Sequence, residues 1–106
     1  MKMDMNKMMR QVQEMQAQMV KAQEELANER VEASAGGGMV RVTATGSGEI
    51  VSVSIAPQAI DPDDPEMLED LVLAAVNEAL RNAQNLMQSK LGSTAGGLGG
   101  LGLPGL

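Results

Sequence analysis

The stretch VEASAGGGMVRVTATGSGEIVSVSI, Val31 to Ile55, decides the fold. Val31, Ala33 and Ala35 alternate with Glu32 and Ser34 until Gly36-Gly37-Gly38 interrupts the run. Val40, Val42 and Ala44 then alternate with Arg41, Thr43 and Thr45. After Gly46-Ser47-Gly48, Val51, Val53 and Ile55 alternate with Ser52 and Ser54. A period of two puts successive side chains on opposite faces of a strand, and short glycine-rich breaks join antiparallel neighbours. The spacing predicts a three-stranded antiparallel meander, aliphatic on one face and polar on the other. Three short strands do not stand alone, so helices are expected to cover the aliphatic face.

Helices are written on both sides of the meander. From about Asp4 to Asn28 no Gly or Pro occurs, and Met5, Met8, Val12, Met15, Met19, Ala22 and Leu26 recur at spacings of 3, 4, 3, 4, 3 and 4. That is a heptad seam, and it is expected to pack on a core or a partner helix. Gln11, Gln16, Gln18 and Gln23 flank it, so charge does little to select the partner. Beyond the meander Pro57 ends the last strand. Asp61-Pro62-Asp63-Asp64-Pro65-Glu66 then reads as a helix start, with Asp64 as N-cap and Pro65 at the first helical position. The helix is expected to reach about Leu91 with a wide, Ala-rich apolar face and to stop at Gly92. The chain is thus expected to be an α+β fold: residues 1–91 form one α-β-β-β-α domain, and the Gly/Leu-rich residues 92–106 a flexible tail.

Composition narrows the chemistry. The 106 residues contain no Cys, His, Phe, Trp or Tyr, but 10 Met and 12 Gly. A thiolate nucleophile, a Ser-His pair, an imidazole ligand and a structural zinc site are all excluded, as is base stacking on aromatic rings. No enzyme, cofactor, metal or small-molecule substrate is expected. Asp61, Asp63 and Asp64 lack the glycine a calcium loop needs at its sixth position, which here is Glu66, so helix capping accounts for them. The glycine clusters match neither phosphate-binding nor dinucleotide-binding patterns and read as hairpin turns. The longest apolar run, Leu71–Val76, is far short of the roughly 20 residues of a membrane helix. A small core without aromatics is thin, and a second copy of the chain is expected to complete it.

The 8 Lys and Arg face 14 Asp and Glu, for a net charge of −6. Residues 1–41 are balanced, whereas 42–106 hold only Arg81 and Lys90 against eight acids. In the heptad frame Lys7 and Lys21 fall at c and Arg10 at f, on the outer face of the first helix and away from the seam; Lys2 precedes them. A solvated helix face accounts for this stripe on composition alone. Two copies in a dimer would instead double its phosphate contacts.

With these segments in view, the chain resembles the YbaB/EbfC family of bacterial nucleoid-associated DNA-binding proteins. The resemblance is carried by MNKMMRQVQEMQAQM (Met5–Met19), AGGGMVRVTATGSGEIVSVSI (Ala35–Ile55) and, most specifically, DPDDPEMLEDLVLAAVNEAL (Asp61–Leu80) followed by the Gly-rich tail. It implies a homodimer joined around its sheets with helices projecting like tweezers. It also implies a cytoplasmic, nucleoid-located binder of double-stranded DNA. Such a protein has low sequence preference, alters DNA conformation, and acts in nucleoid organisation and gene regulation. The DNA contacts it implies come from the long helices: Lys2, Lys7, Arg10 and Lys21 on the first, Arg81 and Lys90 on the last. Relatives carry more lysines after Arg81, where this chain has Asn82, Ala83 and Gln84. A competing reading takes the seam of Met5, Met8, Val12, Met15 and Met19 as a protein-interaction surface on a module that never touches DNA.

Overall fold

The computed structural model describes the backbone of residues 4–99 and the side chains of residues 4–92. Helix α1 (Met5–Asn28) leads into strands β1 (Arg30–Ala35), β2 (Val40–Thr45) and β3 (Ile50–Ile55). A 3₁₀ turn at Pro57–Ala59 follows, and then helix α2 (Pro65–Gly99). The α+β architecture is the one the periodicities predict. Asp4 caps α1 by accepting the Lys7 backbone N–H at 3.2 Å, which satisfies one of the unpaired donors of the first turn. Asp64 does the same for α2, accepting from Met67 N at 3.3 Å, while Asp61 accepts from Asp63 N at 2.9 Å. These carboxylates are spent on capping.

The strands form one antiparallel sheet in the order β1-β2-β3. Val42 is paired with Ala33 on one side and Val53 on the other, and Val40 with Ala35 and Ile55. Paired residues share a face, so the aliphatic rows align across all three strands. The register slips between Thr43 and Ala44, where Ala44 faces Ile50 and Val51 becomes the extra residue. Gly36, Gly37 and Gly38 all take positive φ (63°, 68° and 93°), which explains three consecutive glycines in the first turn.

Helix α2 lies on β1 and β2 and is antiparallel to β1: Leu71 sits beside Gly36 at one end, Leu86 beside Gly46 at the other. Its small residues Ala75, Ala79 and Ala83 are fully buried, so the helix approaches closely over Val40, Val42 and Ala44, also fully buried. The Ala-rich face that the sequence shows therefore meets the sheet. Coverage is incomplete, however. Val51, Val53 and Ile55 on β3 remain 45%, 46% and 36% exposed, because one helix spans two strands and not three.

Two expectations are corrected. Helix α1 does not cover the sheet; it meets the body only at its inner end, through Ala22 and Leu26. Nor does Gly92 end α2, which continues to Gly99. A glycine inside a helix costs about 1 kcal/mol but keeps its N–H and carbonyl, so it weakens the ladder without breaking it. Gly92 is not among the glycines with positive φ, and no proline follows before Pro104. Residues 100–106, the outer part of the expected flexible tail, lie outside the described residues.

Candidate functional site

All residues from Asp4 to Lys21 are exposed, so most of α1 is an arm about 27 Å long at 1.5 Å per residue. The arm belongs to a molecule of 77 × 28 × 16 Å. Its base is fixed by three contacts. Leu26, 1% exposed, packs against the second hairpin turn, where Gly46 leaves room: a Cβ there would stand 2.8 Å from the Leu26 carbonyl oxygen. Gly46 N donates to the Glu29 carbonyl at 3.1 Å, and the Arg30 guanidinium donates to the carbonyls of Ala27 (3.0 Å) and Glu29 (3.2 Å). Finally, Lys90 reaches from α2 to Glu29 at 2.8 Å and Glu25 at 3.0 Å.

This last contact separates the six basic residues into two groups. Lys90 ties α2 to α1, with its side chain only 22% exposed. The hydrogen bond to Glu29 and then that to Glu25 raise the pKa of its ammonium above the ordinary lysine value. Arg81 is exposed but pairs with Glu78 at 3.3 Å along the same helix. Lys7, Arg10 and Lys21, by contrast, are exposed on the arm and have no ion pair among the described residues. Lys2 lies outside the described residues.

At about 100° per residue, Lys7, Arg10 and Lys21 fall within a sector of roughly 60°. Glu14 shares that sector, so the row is basic with one interruption. From Lys7 to Lys21 the row rises about 21 Å, the length of about six base pairs at 3.4 Å each. A projecting helix with uncompensated cations on one side can lie along a polyanion. It offers charge and hydrogen-bond donors that a phosphate backbone can accept from. Arg41 is a further exposed cation, on the polar face of the sheet between its cross-strand neighbours Ser34 and Ser54; its period-two position was the signal for that face.

The last helix differs from the arm. Asn82 donates to the Glu32 carbonyl of β1 at 3.1 Å, and Ala83 is fully buried. Asn82 and Ala83 thus pack α2 against the sheet, while Gln84 is exposed. The seam residues Met5, Met8, Val12, Met15 and Met19 are 70%, 49%, 54%, 42% and 43% exposed, so they are no part of this chain's own core. Among the described residues no group of three or more acidic side chains is arranged to hold a metal ion, and no helix is long and apolar enough to cross a membrane.

Comparison with known proteins agrees with this geometry. The family model described as the YbaB/EbfC DNA-binding family matches residues 1–98. The chain is 55% identical over 95 residues to a nucleoid-associated protein of Pelotomaculum thermopropionicum, covering 90% of each. It is 52% identical over 103 residues to a nucleoid-associated protein of Mycobacterium sp. (strain KMS), covering 97% of this chain and 94% of that one. The fold is similar to that of the crystal structure of the uncharacterised protein HP0035 from Helicobacter pylori, with a TM-score of 0.72 at 22% identity over 83% of this chain and 92% of that one.

Proposed function

Because this chain belongs to the YbaB/EbfC DNA-binding family, we propose that it is a homodimeric nucleoid-associated protein that holds double-stranded DNA by its phosphates. The observation that carries the reading is the unpaired basic row of Lys7, Arg10 and Lys21 on an arm otherwise free of the body. Contacts confined to phosphates carry little sequence information, so affinity for unrelated duplexes is similar. Two arms held by one dimer engage the duplex together and alter its path, which fits a role in nucleoid organisation and gene regulation in the cytoplasm. The dimer is supported by β3: Val53 and Ile55 extend the buried aliphatic face beyond α2, and the outer edge of β3 has no partner strand among the described residues.

The test is an equilibrium titration of unrelated duplexes at about 50 mM salt, where phosphate contacts are strongest. Similar affinities for all of them are expected, and no binding at that salt would overturn the reading. Light scattering should give about twice the 11.1 kDa of one chain, since the exposed β3 face needs a cover. A second reading, a protein-interaction module without DNA contact, is favoured by one observation, the exposed methionine seam. It would be supported by recovery of a discrete protein complex that survives nuclease treatment.

A further inference from the structure

The outward stripe of α1 is used by neither the fold nor the phosphate contacts. Met5, Met8, Val12, Met15 and Met19 stand exposed, yet the same stripe continues into Ala22 and Leu26, which are 4% and 1% exposed. Its inner end is therefore packed and its outer two-thirds is not. At the tip, Met5, Met8, Met9 and Val12, with Gln13 at the side, line an open and mainly apolar cavity of about 330 Å³, room enough for a side-chain knob from a facing helix. A continuous apolar stripe of this length on a projecting helix marks a contact surface.

We propose that α1 arms from separate dimers pair with each other through this stripe, so that the protein bridges two DNA duplexes. The inference rests on the DNA-binding dimer proposed above and assigns a different face of the same helix. Three observations identify the occupant as a second copy of the arm. The 3-4 spacing is that of a two-helix seam, which a matching heptad fills best. Its borders are Gln11, Gln16, Gln18 and Gln23, so a copy meets no like charge, while a foreign helix meets nothing that would select it. The acids nearest the stripe are already engaged, Asp4 in capping the helix and Glu25 in the ion pair with Lys90. Methionines on both sides adapt to one another without a fixed rotamer pattern.

The geometry of the arm then sets the outcome. Bodies sit at the arm bases, so two arms that meet tip-first run antiparallel, with their bodies at opposite ends. On each arm the basic row lies roughly 150° around the helix from the centre of the stripe, at about 100° per residue. Pairing the stripes thus turns the two basic rows outward, on opposite sides of the pair. One duplex cannot reach both rows at once. The paired arms hold two duplexes, one on each side, and the seam joins dimers without competing for phosphates.

The test uses the full chain and the variant Met8→Gln with Met15→Gln; Gln has nearly the helix propensity of Met, so α1 is retained, which circular dichroism checks. Sedimentation without DNA should show wild-type mass rising beyond the dimer with concentration, and the variant remaining dimeric. On beads carrying one duplex, the wild type should capture a second, labelled duplex. The variant should lose that capture by at least about tenfold while its affinity for a single duplex stays within about twofold. Capture by the variant equal to wild type would overturn the proposal, as would a wild type that binds one duplex but neither self-associates nor captures a second. If wild type binds no duplex at all, the DNA reading fails by itself, and the sedimentation result still decides whether arms pair.

Discussion

Replacing Lys7 and Arg10 by glutamine removes two of the three unpaired cations from each arm and leaves the helix, the seam and the base untouched. Lys7 and Arg10 make no side-chain ion pair among the described residues, so the substitution breaks nothing in the fold. With one phosphate per exposed cation and two arms, the wild type neutralises about six phosphates, and log K falls with log salt at a slope of about −5. The double variant keeps about two such contacts and a slope of about −2. Between about 50 and 200 mM salt, the wild type should therefore lose about a thousandfold in affinity and the variant only about tenfold. Any contact from Lys2 steepens both slopes equally, so their difference, between about 3 and 4 for the four contacts removed, does not depend on it. Fluorescence anisotropy on a labelled random duplex across that salt range measures both slopes. Lys90→Gln is the internal control. It removes one positive charge from the chain but, since Lys90 is bound to Glu25 and Glu29, it should leave the slope where it was. A double variant with the wild-type slope, or a Lys90→Gln slope that falls like the double variant's, would refute the assignment of phosphate contacts to the arm.

The base of the arm makes its own predictions. Gly46→Ala places a Cβ 2.8 Å from the Leu26 carbonyl oxygen, a backbone atom that cannot swing aside, and should cost about 1–3 kcal/mol in denaturant unfolding; an unchanged midpoint would contradict the close approach. Asp64→Ala removes the cap on Met67 N and should cost about 1 kcal/mol of stability with no change in the salt slope, whereas a loss of DNA affinity at constant stability would argue for a binding role. The clamp at Lys90 predicts a pH window. Its folded-state pKa is raised, so its stabilising contribution is complete below about pH 10.5 and disappears as pH rises through the folded value. Thermal melts of the wild type and Lys90→Gln should differ by a constant amount up to that pH and converge above it, and convergence in the neutral range would place the interaction elsewhere.

What the residues reveal in order, and what they do not, follows from the range of the forces involved. The meander was legible because period two and the glycine breaks act within a few residues: Gly36, Gly37, Gly38 and Gly48 take the positive φ their turns need, and each strand needs its aliphatic row. The start of α2 was legible for the same reason, since Asp64 caps through a contact three residues away; the first helix was legible from its seam, and the structure adds Asp4 as its cap. The end of α2 was not, because a glycine's cost of about 1 kcal/mol is a bias that neighbouring residues outweigh. The ion pairs of Lys90 were not legible because its partners are 61 and 65 positions distant, on a helix whose position relative to α2 no local pattern encodes. The seam presents the opposite case. Its spacing is unmistakable in the sequence, but whether such a stripe faces the chain's own core or another molecule depends on where the helix points. Leu26 and Gly46 hold α1 at its last turn only, so the stripe faces outward.

The same geometry resolves the conflict between a net charge of −6 and a polyanionic ligand. Leu71 lies beside Gly36 and Leu86 beside Gly46 and Leu26, which are about 22 Å apart along α2; Lys7 lies about 28 Å from Leu26 along α1, in the other direction. The acids at 61–70, at the start of α2 and just before it, are thus about 50 Å from Lys7 and about 30 Å from Lys21, the near end of the basic row, in a molecule 77 Å long. At physiological ionic strength the screening length is about 8 Å, so a phosphate at the arm feels Lys7, Arg10 and Lys21, with Glu14 among them, and almost nothing of the carboxylates at 61–70. Net charge is the wrong measure for such an elongated chain; charge within a screening length is the right one. At about 0.01 M salt the screening length grows to about 30 Å, and acids nearer the arm base, Glu24 among them, begin to repel the duplex. The plot of log K against log salt should then be straight above about 50 mM and bend toward weaker binding than the extrapolated line below it. A compact protein of the same charge, with its acids everywhere within reach, would show that bend throughout the range.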